Sequence, residues 1–273
     1  MSEFDFLSRI PLGQYIPTGS IIHRLDPRAK IIMFGALLIA ITFTPSYIGL
    51  AIGIAALLLA LLLSRVPIGF ALKGLLAPLP FLLIIAIIQV FFYSSALDPD
   101  ILIKMGKLNI TSAGLLAGAM LLIRFAGLIL CLSLMSFITS TSELLQGMTK
   151  ILSPLNRIGI QTMDFIMIIQ VTLRFLPFLA QSAERIAKAQ ASRGSDWGQK
   201  RKGLFNRIRQ VIPMVIPLFI ISLRRSENLA LAMDARAYGV FKYRTSMTEL
   251  DFSWSDGFAV LISIIVSLAI FFV

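Results

Sequence analysis

Two arginines in matching settings are the strongest candidates for a functional site in this sequence. Each is placed by the pattern in the last turn of a long helix, with small residues on either side and a glycine nearby. A guanidinium is always charged and offers a planar fork of N–H donors, which suits acidic side chains and backbone carbonyls in a cleft. The two matching tips predict one docking device: the first tip is Ser192, Arg193 and Gly194, and the second tip is Ala235, Arg236 and Ala237.

Ordinary helix capping is the alternative explanation for each tip. A cation in a final turn interacts favourably with the helix dipole, and a glycine just beyond it is a common cap. The pair favours docking, because both helices also carry small residues at spacings of three and four. Such stripes let two helices approach closely and cross. They are Ala180, Ala183, Ala187 and Ala191 on the first helix, and Ser222, Ser226, Ala230 and Ala237 on the second.

The composition predicts an integral membrane protein. Hydrophobic residues make up 57% of the 273 positions, and the mean hydropathy is +0.87, which is too apolar for a soluble domain. The chain has one cysteine, Cys131, and one histidine, His23. We therefore expect no internal disulfide, no metal site and no cofactor.

Long apolar runs predict about five transmembrane helices. The run from 29 to 63 is too long for one span and is broken at 44–46, so it forms two helices. A third span covers 68–93, where Pro78 and Pro80 predict a bend. The fourth covers 113–137, and the last begins at Trp254. Glycines four residues apart, Gly49 with Gly53 and Gly114 with Gly118, predict close helix packing.

The stretch from 142 to 252 is more polar and predicts a cytoplasmic coupling region of three helices. The first is amphipathic, capped by Ser142 and ended by Pro154. Two long helices follow, over 163–193 and 207–236, with internal prolines at Pro177, Pro213 and Pro217. The predicted fold is an all-α integral membrane protein with two long, crossed coupling helices. Its segments are 1–28 (cytoplasmic N-terminal segment), 29–141 (four spans), 142–252 (coupling helices) and 253–273 (final span).

Charge sets the expected orientation. Residues 142–252 contain sixteen Lys or Arg against eight Asp or Glu, a net +8 of the chain's formal +11. The positive-inside bias keeps this stretch in the cytoplasm, so five spans place the N terminus inside and the C terminus outside. Attraction to anionic lipid headgroups also accounts for part of the role of this basic stretch. Nucleic acid is not an expected partner, because no binding module accompanies the basic residues. Residues 194–200 only loosely resemble a phosphate loop, so the chain is not expected to hydrolyse ATP.

Arg124 lies near the middle of the fourth predicted span. A charge there costs about 3 kcal/mol on insertion scales, so the side chain should face protein or water rather than lipid. Two alternatives are open. Arg124 contacts a moving partner as a possible intramembrane contact, or it is satisfied locally inside the helix bundle.

Several stretches together resemble the T component of energy-coupling factor transporters, across nearly the whole chain. They are Leu12-Gly13-Gln14-Tyr15-Ile16-Pro17, His23-Arg24-Leu25-Asp26-Pro27-Arg28, Leu173-Arg174-Phe175-Leu176-Pro177, Ala189-Gln190-Ala191-Ser192-Arg193-Gly194 and Asp234-Ala235-Arg236-Ala237. The family's tips are usually written Ala-Arg-Gly or a near variant. Here the second tip departs from that form, because alanine rather than glycine follows its arginine.

The resemblance implies a non-catalytic subunit of an ABC-type importer for vitamins or trace metals in the bacterial cytoplasmic membrane. Such a subunit works with two ATPase subunits and a separate small membrane protein that binds the substrate. It implies that Arg193 and Arg236 each insert into a groove on one ATPase, with the small residues of the two tips keeping them slim.

Two rival functions come from other classes. A stand-alone membrane carrier would transport without ATPase partners and could use Arg124 as its substrate contact. A membrane-embedded enzyme could act on an anionic lipid-linked substrate at a basic cytoplasmic site. It would need a converging set of acids, bases or metal ligands, and a chain with one histidine offers little for that role.

Overall fold

The computed structural model describes residues 15–92, 101–105, 108–154, 162–194, 204–240 and 251–273. These residues form nine α-helices, a short 3-10 helix and one β-hairpin. The chain divides into two units. The bundle unit, within 13–154 and 250–273, contains α1 to α6, the hairpin and α9. The two-helix unit, within 155–249, contains α7 and α8. The helices are α1 (Pro27–Phe43), α2 (Tyr47–Ser64), α3 (Ile68–Leu76), α4 (Leu79–Phe92), α5 (Ser112–Ile138), α6 (Thr141–Leu152), α7 (Thr162–Ser192), α8 (Leu204–Asp234) and α9 (Trp254–Phe272).

The all-α fold class is confirmed, with one addition. Two short antiparallel strands, β1 (Ile101–Met105) and β2 (Leu108–Thr111), form a hairpin in the stretch predicted as a polar connection between spans. The hairpin leads directly into α5, whose first turn is capped by the Thr111 side chain. The hairpin is therefore a short addition to the helical bundle and does not change its fold class.

The core of the bundle unit lies between α1, α2, α5 and α9. Helix α1 packs against α5, α6 and α9, and α2 packs against α5 and α9. Fully buried side chains meet there because these helices are apolar on most of their surfaces. The largest apolar ones are Phe34, Ile41, Leu57, Leu134, Phe137, Ile138 and Ile270.

Glycines allow the closest approaches, as their spacing predicts. A Cβ placed on Gly49 would stand 2.5 Å from the Ile270 carbonyl oxygen and 2.5 Å from the Thr44 hydroxyl. A Cβ on Gly118 would meet the Val90 side chain at 2.7 Å. Helix α2 thus contacts the end of α9, and α5 contacts α4, at distances that no other residue type permits.

The bend predicted from Pro78 and Pro80 is also present. Helices α3 and α4 together have the length of one span, but they are bent by 59° at a break of two residues. Pro78 lies in this break, where its missing N–H leaves a carbonyl of the preceding turn without its helical partner.

Four described helices are long and apolar enough to cross a membrane: α2, α5, α7 and α9. The bent pair α3 and α4 could serve as a fifth. This set differs in two members from the one expected from sequence. Helix α1, with 17 residues, is slightly short, whereas α7 begins with an apolar stretch in which Phe165 and Ile168 are exposed. The cytoplasmic location of α7 stays a prediction.

A fully buried ammonium joins several elements at one end of the bundle unit. The Lys30 side chain in α1 is 1% exposed. Its Nζ donates to the His23 carbonyl oxygen at 2.8 Å, to the Ile138 carbonyl oxygen at 3.5 Å and to Glu143 Oε2 at 3.2 Å. One charged group therefore connects the N-terminal segment, α1, the end of α5 and the start of α6.

The carboxylate of Asp256 makes a second connection at the same end. Its Oδ1 accepts the backbone N–H of Asp26 at 2.9 Å, and its Oδ2 accepts the backbone N–H of Ser253 at 2.8 Å. Asp26 in turn caps α1 by accepting the N–H of Arg28. The first turns of α1 and α9 are thus held by one carboxylate that is 3% exposed.

The N-terminal segment is fixed at this end by His23, which lies in a 3-10 turn, Ile22–Arg24. Its Nε2 donates to the Ile16 carbonyl oxygen at 2.9 Å, so its Nδ1 accepts from the Ser20 hydroxyl at 2.7 Å. Burial lowers the pKa of the His23 imidazole below its ordinary value of 6.5, and the charge of Lys30 acts in the same direction. The ring is therefore neutral at pH 7. We call this end, where α1 and α9 start, the junction end.

Helix α6 is the predicted amphipathic helix, with a different cap. Its N-cap is Ser140, whose hydroxyl accepts the N–H of Glu143 at 3.2 Å, rather than Ser142. The helix packs on α1 through Gly147, where a Cβ would stand 2.9 Å from Ile31.

The two-helix unit consists of α7 and α8, each of 31 residues, packed against one another. Both continue through internal prolines, Pro177 in α7 and Pro213 and Pro217 in α8, as the sequence predicts.

Replacing Asp256 tests the connection between α1 and α9. We expect Asp256→Ala to lower the free energy of unfolding by about 2 to 4 kcal/mol, because it leaves two backbone N–H groups without their acceptor. Thermal unfolding of the purified protein in detergent measures the loss. Asp256→Asn keeps one carbonyl acceptor and should lose less. The control Asp251→Ala removes an exposed carboxylate nearby and should change stability by under about 0.5 kcal/mol; equal losses for the two alanine variants would contradict the assignment.

Candidate functional site

The first tip closes α7 with a tight backbone turn. The N–H of Arg193 donates to the Gln190 carbonyl oxygen at 3.2 Å, and the N–H of Gly194 donates to the Ala191 carbonyl oxygen at 3.0 Å. Gly194 has a φ of +80°, in the left-handed region that favours glycine. Arg193 is therefore the last residue of the helical path before the chain reverses its twist.

The second tip closes α8 with the same turn. The N–H of Arg236 donates to the Met233 carbonyl oxygen at 3.1 Å, and the N–H of Ala237 donates to the Asp234 carbonyl oxygen at 2.8 Å. The N–H of Tyr238 also donates to the Met233 oxygen at 3.0 Å, which completes a Schellman motif. Ala237 has a φ of +57° and takes the left-handed position usually held by glycine.

The two tips are therefore equivalent in backbone geometry although their sequences differ. In each, the arginine precedes a left-handed residue and donates its N–H to the carbonyl three residues earlier. Arg193 and Arg236 are both exposed. Neither forms an ion pair among the described residues. The helix ends thus present two exposed guanidinium groups in the same local setting.

The structure places the two tips far apart rather than side by side. The Tyr238 hydroxyl, two residues beyond Arg236, contacts the sulfur of Met167 in the second turn of α7. Arg193 lies about 26 residues further along α7, which corresponds to about 39 Å of helix. The arginines therefore lie near opposite ends of the two-helix unit and cannot enter a single cleft together.

A contact between α7 and α8 lies near the middle of α7. The guanidinium of Arg225 lies 3.6 Å from the centroid of the Phe178 ring and 5.8 Å from that of Phe175. This is a cation–π contact with two rings on the facing helix. A cavity of about 460 Å³ separates the helices between this contact and the second tip, and Met167, Ser226 and Ala230 are among its lining residues.

The small-residue stripes have different surroundings on the two helices. On α7, Ala180, Ala183 and Ala187 are all buried, with 0% exposure at Ala187. On α8, Ser226 and Ala230 are exposed and border the cavity. The stripe of α7 is therefore buried, whereas Ser226 and Ala230 of the α8 stripe border the cavity.

Arg124 has a partner inside the bundle unit. Its Nη2 donates to the Thr44 carbonyl oxygen at 2.6 Å, and the Thr44 hydroxyl donates to the Ile270 carbonyl oxygen at 3.1 Å. Among the described residues, its buried Nε has no hydrogen-bond partner. Arg124 thus neutralises part of the C-terminal dipole of α1, as the local alternative requires. Contact with a moving partner stays a prediction.

Two charged residues with structural roles escaped the sequence analysis. Lys30 stands in an apolar run, and Asp256 stands in the first turn of the last span. Asp256 has a local signal, because Ser253 followed three residues later by an acid is a capping-box pattern. Lys30 has no such signal, since two of its three acceptors are more than a hundred residues away.

Comparison with known proteins decides the family. Residues 18–247 match the model of the family described as CbiQ, cobalt transport protein. The chain belongs to the family of transmembrane T components of energy-coupling factor transporters. It is 36% identical over 250 residues to the energy-coupling factor transporter transmembrane protein EcfT of Listeria innocua, covering 92% of both chains. It is 34% identical over 267 residues to EcfT of Brevibacillus brevis, covering 97% of this chain and 98% of the relative.

As a member of this family, the T component described here is a multi-pass bacterial membrane protein and a subunit of a transporter. The alignments with these two relatives cover more than nine tenths of the chain. The similarity therefore includes both the bundle unit and the two-helix unit. Such a subunit is not by itself a catalytic enzyme, which agrees with the prediction from sequence.

The backbone at the two tips predicts unequal responses to exchanging glycine and alanine. We expect Gly194→Ala to destabilise the end of α7 by about 1 kcal/mol, because a φ of +80° is unfavourable for a residue with a Cβ. Among the described residues, no atom lies within 4 Å of that Cβ, so the expected cost comes from the backbone. Ala237→Gly should change stability by under about 0.5 kcal/mol, since the relief at φ is offset by greater freedom in the unfolded chain. Hydrogen exchange of peptides from the two helix ends measures both effects. Equal protection changes at the two tips would contradict this account.

The cation–π contact predicts a coupling between α7 and α8. We expect a double-mutant cycle of Arg225→Gln with Phe178→Leu to give a coupling free energy of about 0.5 to 1 kcal/mol. Thermal unfolding of the four proteins provides the values. Arg224→Gln removes the neighbouring exposed cation, which has no ring contact among the described residues. Its cycle with Phe178→Leu should give no coupling, and a coupling of the same size would show that the ring contact is not the cause.

Proposed function

We propose that this T component couples two ATPase subunits to a separate substrate-binding membrane subunit in an importer for vitamins or trace metals. In this proposal Arg193 and Arg236 are the ATPase-docking residues, and their small neighbours Ser192, Gly194, Ala235 and Ala237 keep the tips narrow. The protein itself binds no cofactor. ATP hydrolysis belongs to its partners.

The observation that carries the proposal is the equivalence of the two tips. One backbone turn, with an exposed arginine just before a left-handed residue, ends both long helices despite their different sequences. Two copies of one docking element fit two partners of the same kind. Their separation of about 39 Å along α7 further favours two clefts over one.

Contact between α7 and α8 supports the transmission of motion. The Arg225 contact with Phe175 and Phe178, together with the contact of Tyr238 with Met167, joins the two helices. A movement of either tip is therefore communicated to both helices as a rigid-body shift. We infer that this shift reaches the membrane spans and, through them, the substrate-binding subunit.

Charge supports a cytoplasmic junction end. Arg24 lies just before α1 and Arg28 lies in its first turn, which is at the junction end. Arg65 follows Ser64 at the end of α2, and the hydrogen bond from Thr18 to the Ser64 carbonyl places this residue at the same end. The positive-inside bias favours the cytoplasm for this end. The N-terminal segment would then be cytoplasmic, and α9, which starts there, would carry the C terminus to the outside. The division into segments 1–28, 29–141, 142–252 and 253–273 is part of this proposal.

The names of related proteins are the only indication of the substrate. The matching family is described as a cobalt transport protein, whereas the relatives are named as energy-coupling factor transporter components. A stand-alone carrier using Arg124 is less favoured, because that side chain is engaged by the Thr44 carbonyl.

Reversing the charge of both tips tests the proposal. We expect Arg193→Glu with Arg236→Glu to leave membrane insertion intact but to abolish ATPase co-purification and substrate uptake, because each carboxylate would be repelled by an acidic cleft. The protein would be purified gently from its native membrane, its partners identified by mass spectrometry and the eluate assayed for ATP hydrolysis.

A matched control separates docking from net charge. Arg185→Glu with Arg224→Glu makes the same change in charge within the bodies of α7 and α8, and it should retain both ATPase association and uptake. Normal uptake by the tip variant would refute the docking role. Purification of the unaltered protein as a single species without ATPase would refute the coupling function itself.

A further inference from the structure

A cavity of about 460 Å³ at the junction end of the bundle unit is lined by two arginines. It lies between the N-terminal segment and the end of α2. Its charged lining residues are Arg24 and Arg65, and its apolar ones are Ile21, Leu62 and Leu63. Gly19 and Ser20 complete the lining. None of these residues belongs to the tips or to the α7 and α8 contacts.

Both sides of the cavity are held in place by hydrogen bonds. The Thr18 hydroxyl donates to the Ser64 carbonyl oxygen at 2.7 Å and so ties the N-terminal segment to the end of α2. The Ser20 hydroxyl contacts Nδ1 of His23 at 2.7 Å, which fixes the turn that carries Arg24. The two arginines are therefore attached to a preformed frame rather than to free chain ends.

The backbone of Arg65 is unusual for an arginine. It caps α2 with a φ of +53°, in the left-handed region where glycine is the favoured residue. The cap itself needs no side chain, since its N–H donates to the Leu62 carbonyl oxygen. The helix end alone would be better served by glycine, so the contribution of arginine at this position lies in its guanidinium.

Arg24 and Arg65 also differ from the other cations of the junction end. Arg28 lies 3.7 Å from Asp26, and Lys30 lies 3.2 Å from Glu143. Arg24 and Arg65 are exposed, and neither has an acidic partner within the described residues. Two guanidinium groups that line one cavity repel each other, and an anion between them removes that repulsion.

Exposed apolar side chains at the edge of the cavity indicate the source of the anion. Leu62 is 71% exposed and Leu63 47%, at the end of a helix with the length and apolarity of a span, and Ile21 across the cavity is 75% exposed. Acyl chains would cover these side chains, so the cavity lies at the depth of the headgroups. We propose that it is a binding site for the phosphate headgroup of an anionic phospholipid, held by Arg24 and Arg65.

Lipid retention tests the site in the full-length protein. Native mass spectrometry would count phosphatidylglycerol and phosphatidylcholine bound to the protein after delipidation and titration with each lipid. We expect Arg24→Gln and Arg65→Gly each to weaken phosphatidylglycerol binding about fivefold, with phosphatidylcholine unaffected. Arg65→Gly is the sharper variant, because glycine suits the left-handed cap and the fold should be retained. Thermal unfolding verifies that retention.

The control is Lys150→Gln, which removes an exposed cation of the bundle unit outside the cavity lining. It should bind phosphatidylglycerol as the unaltered protein does. Equal weakening by this control and by Arg65→Gly would overturn the proposal, because binding would then reflect net charge alone.

Inorganic phosphate distinguishes the two sources of the anion. We expect phosphate at the same concentration as the lipid to leave bound phosphatidylglycerol unchanged, since it makes no contact with Leu62 and Leu63. Displacement of the lipid by phosphate at that concentration would show a site for free phosphate and would overturn the assignment to lipid.

Discussion

The arrangement of the bundle unit depends on one buried positive charge. The Lys30 ammonium, at 1% exposure, has two carbonyls and a carboxylate as its acceptors, and a buried charge without such partners is costly. Each acceptor belongs to a different element, so a displacement of any one of these elements removes one of the three hydrogen bonds of the buried charge. The apolar core gives most of the cohesion of this unit, but it does not fix the register of the helix ends. That register is set by polar groups at the junction end.

Helix ends explain why polar groups concentrate there. Each helix leaves backbone N–H or C=O groups without intrahelical partners, and near lipid no water can satisfy them reliably. Asp256 answers this requirement for the starts of α1 and α9, and Lys30 and Arg124 do so for carbonyls near the ends of α5 and α1. Charged side chains within the apolar bundle thus provide hydrogen bonds for the backbone groups at helix ends. The exposed arginines of the tips are different, because no described group competes for them.

The all-α fold and most of its spans could be predicted, because transmembrane helices are defined by the length and apolarity of local sequence. The bend at Pro78 follows from the chemistry of one residue. Long-range features could not be predicted in this way. Neither the burial of Lys30 nor the capping of α6 by Ser140 rather than Ser142 has a distinctive local pattern. The two tips were identified as a pair from their amino-acid sequences. Their wide separation depends on how α7 packs on α8, and no single sequence position specifies that packing.

The left-handed residue after each tip arginine has a consequence for comparing T components. Gly194 and Ala237 are different residues with the same left-handed backbone conformation. A sequence pattern that requires glycine after arginine would therefore find the first helix end and overlook the second. A description in dihedral angles would treat the two as repeats of one element. Internal symmetry in such a protein is therefore better sought in the backbone of its helix ends than in an alignment of its residues.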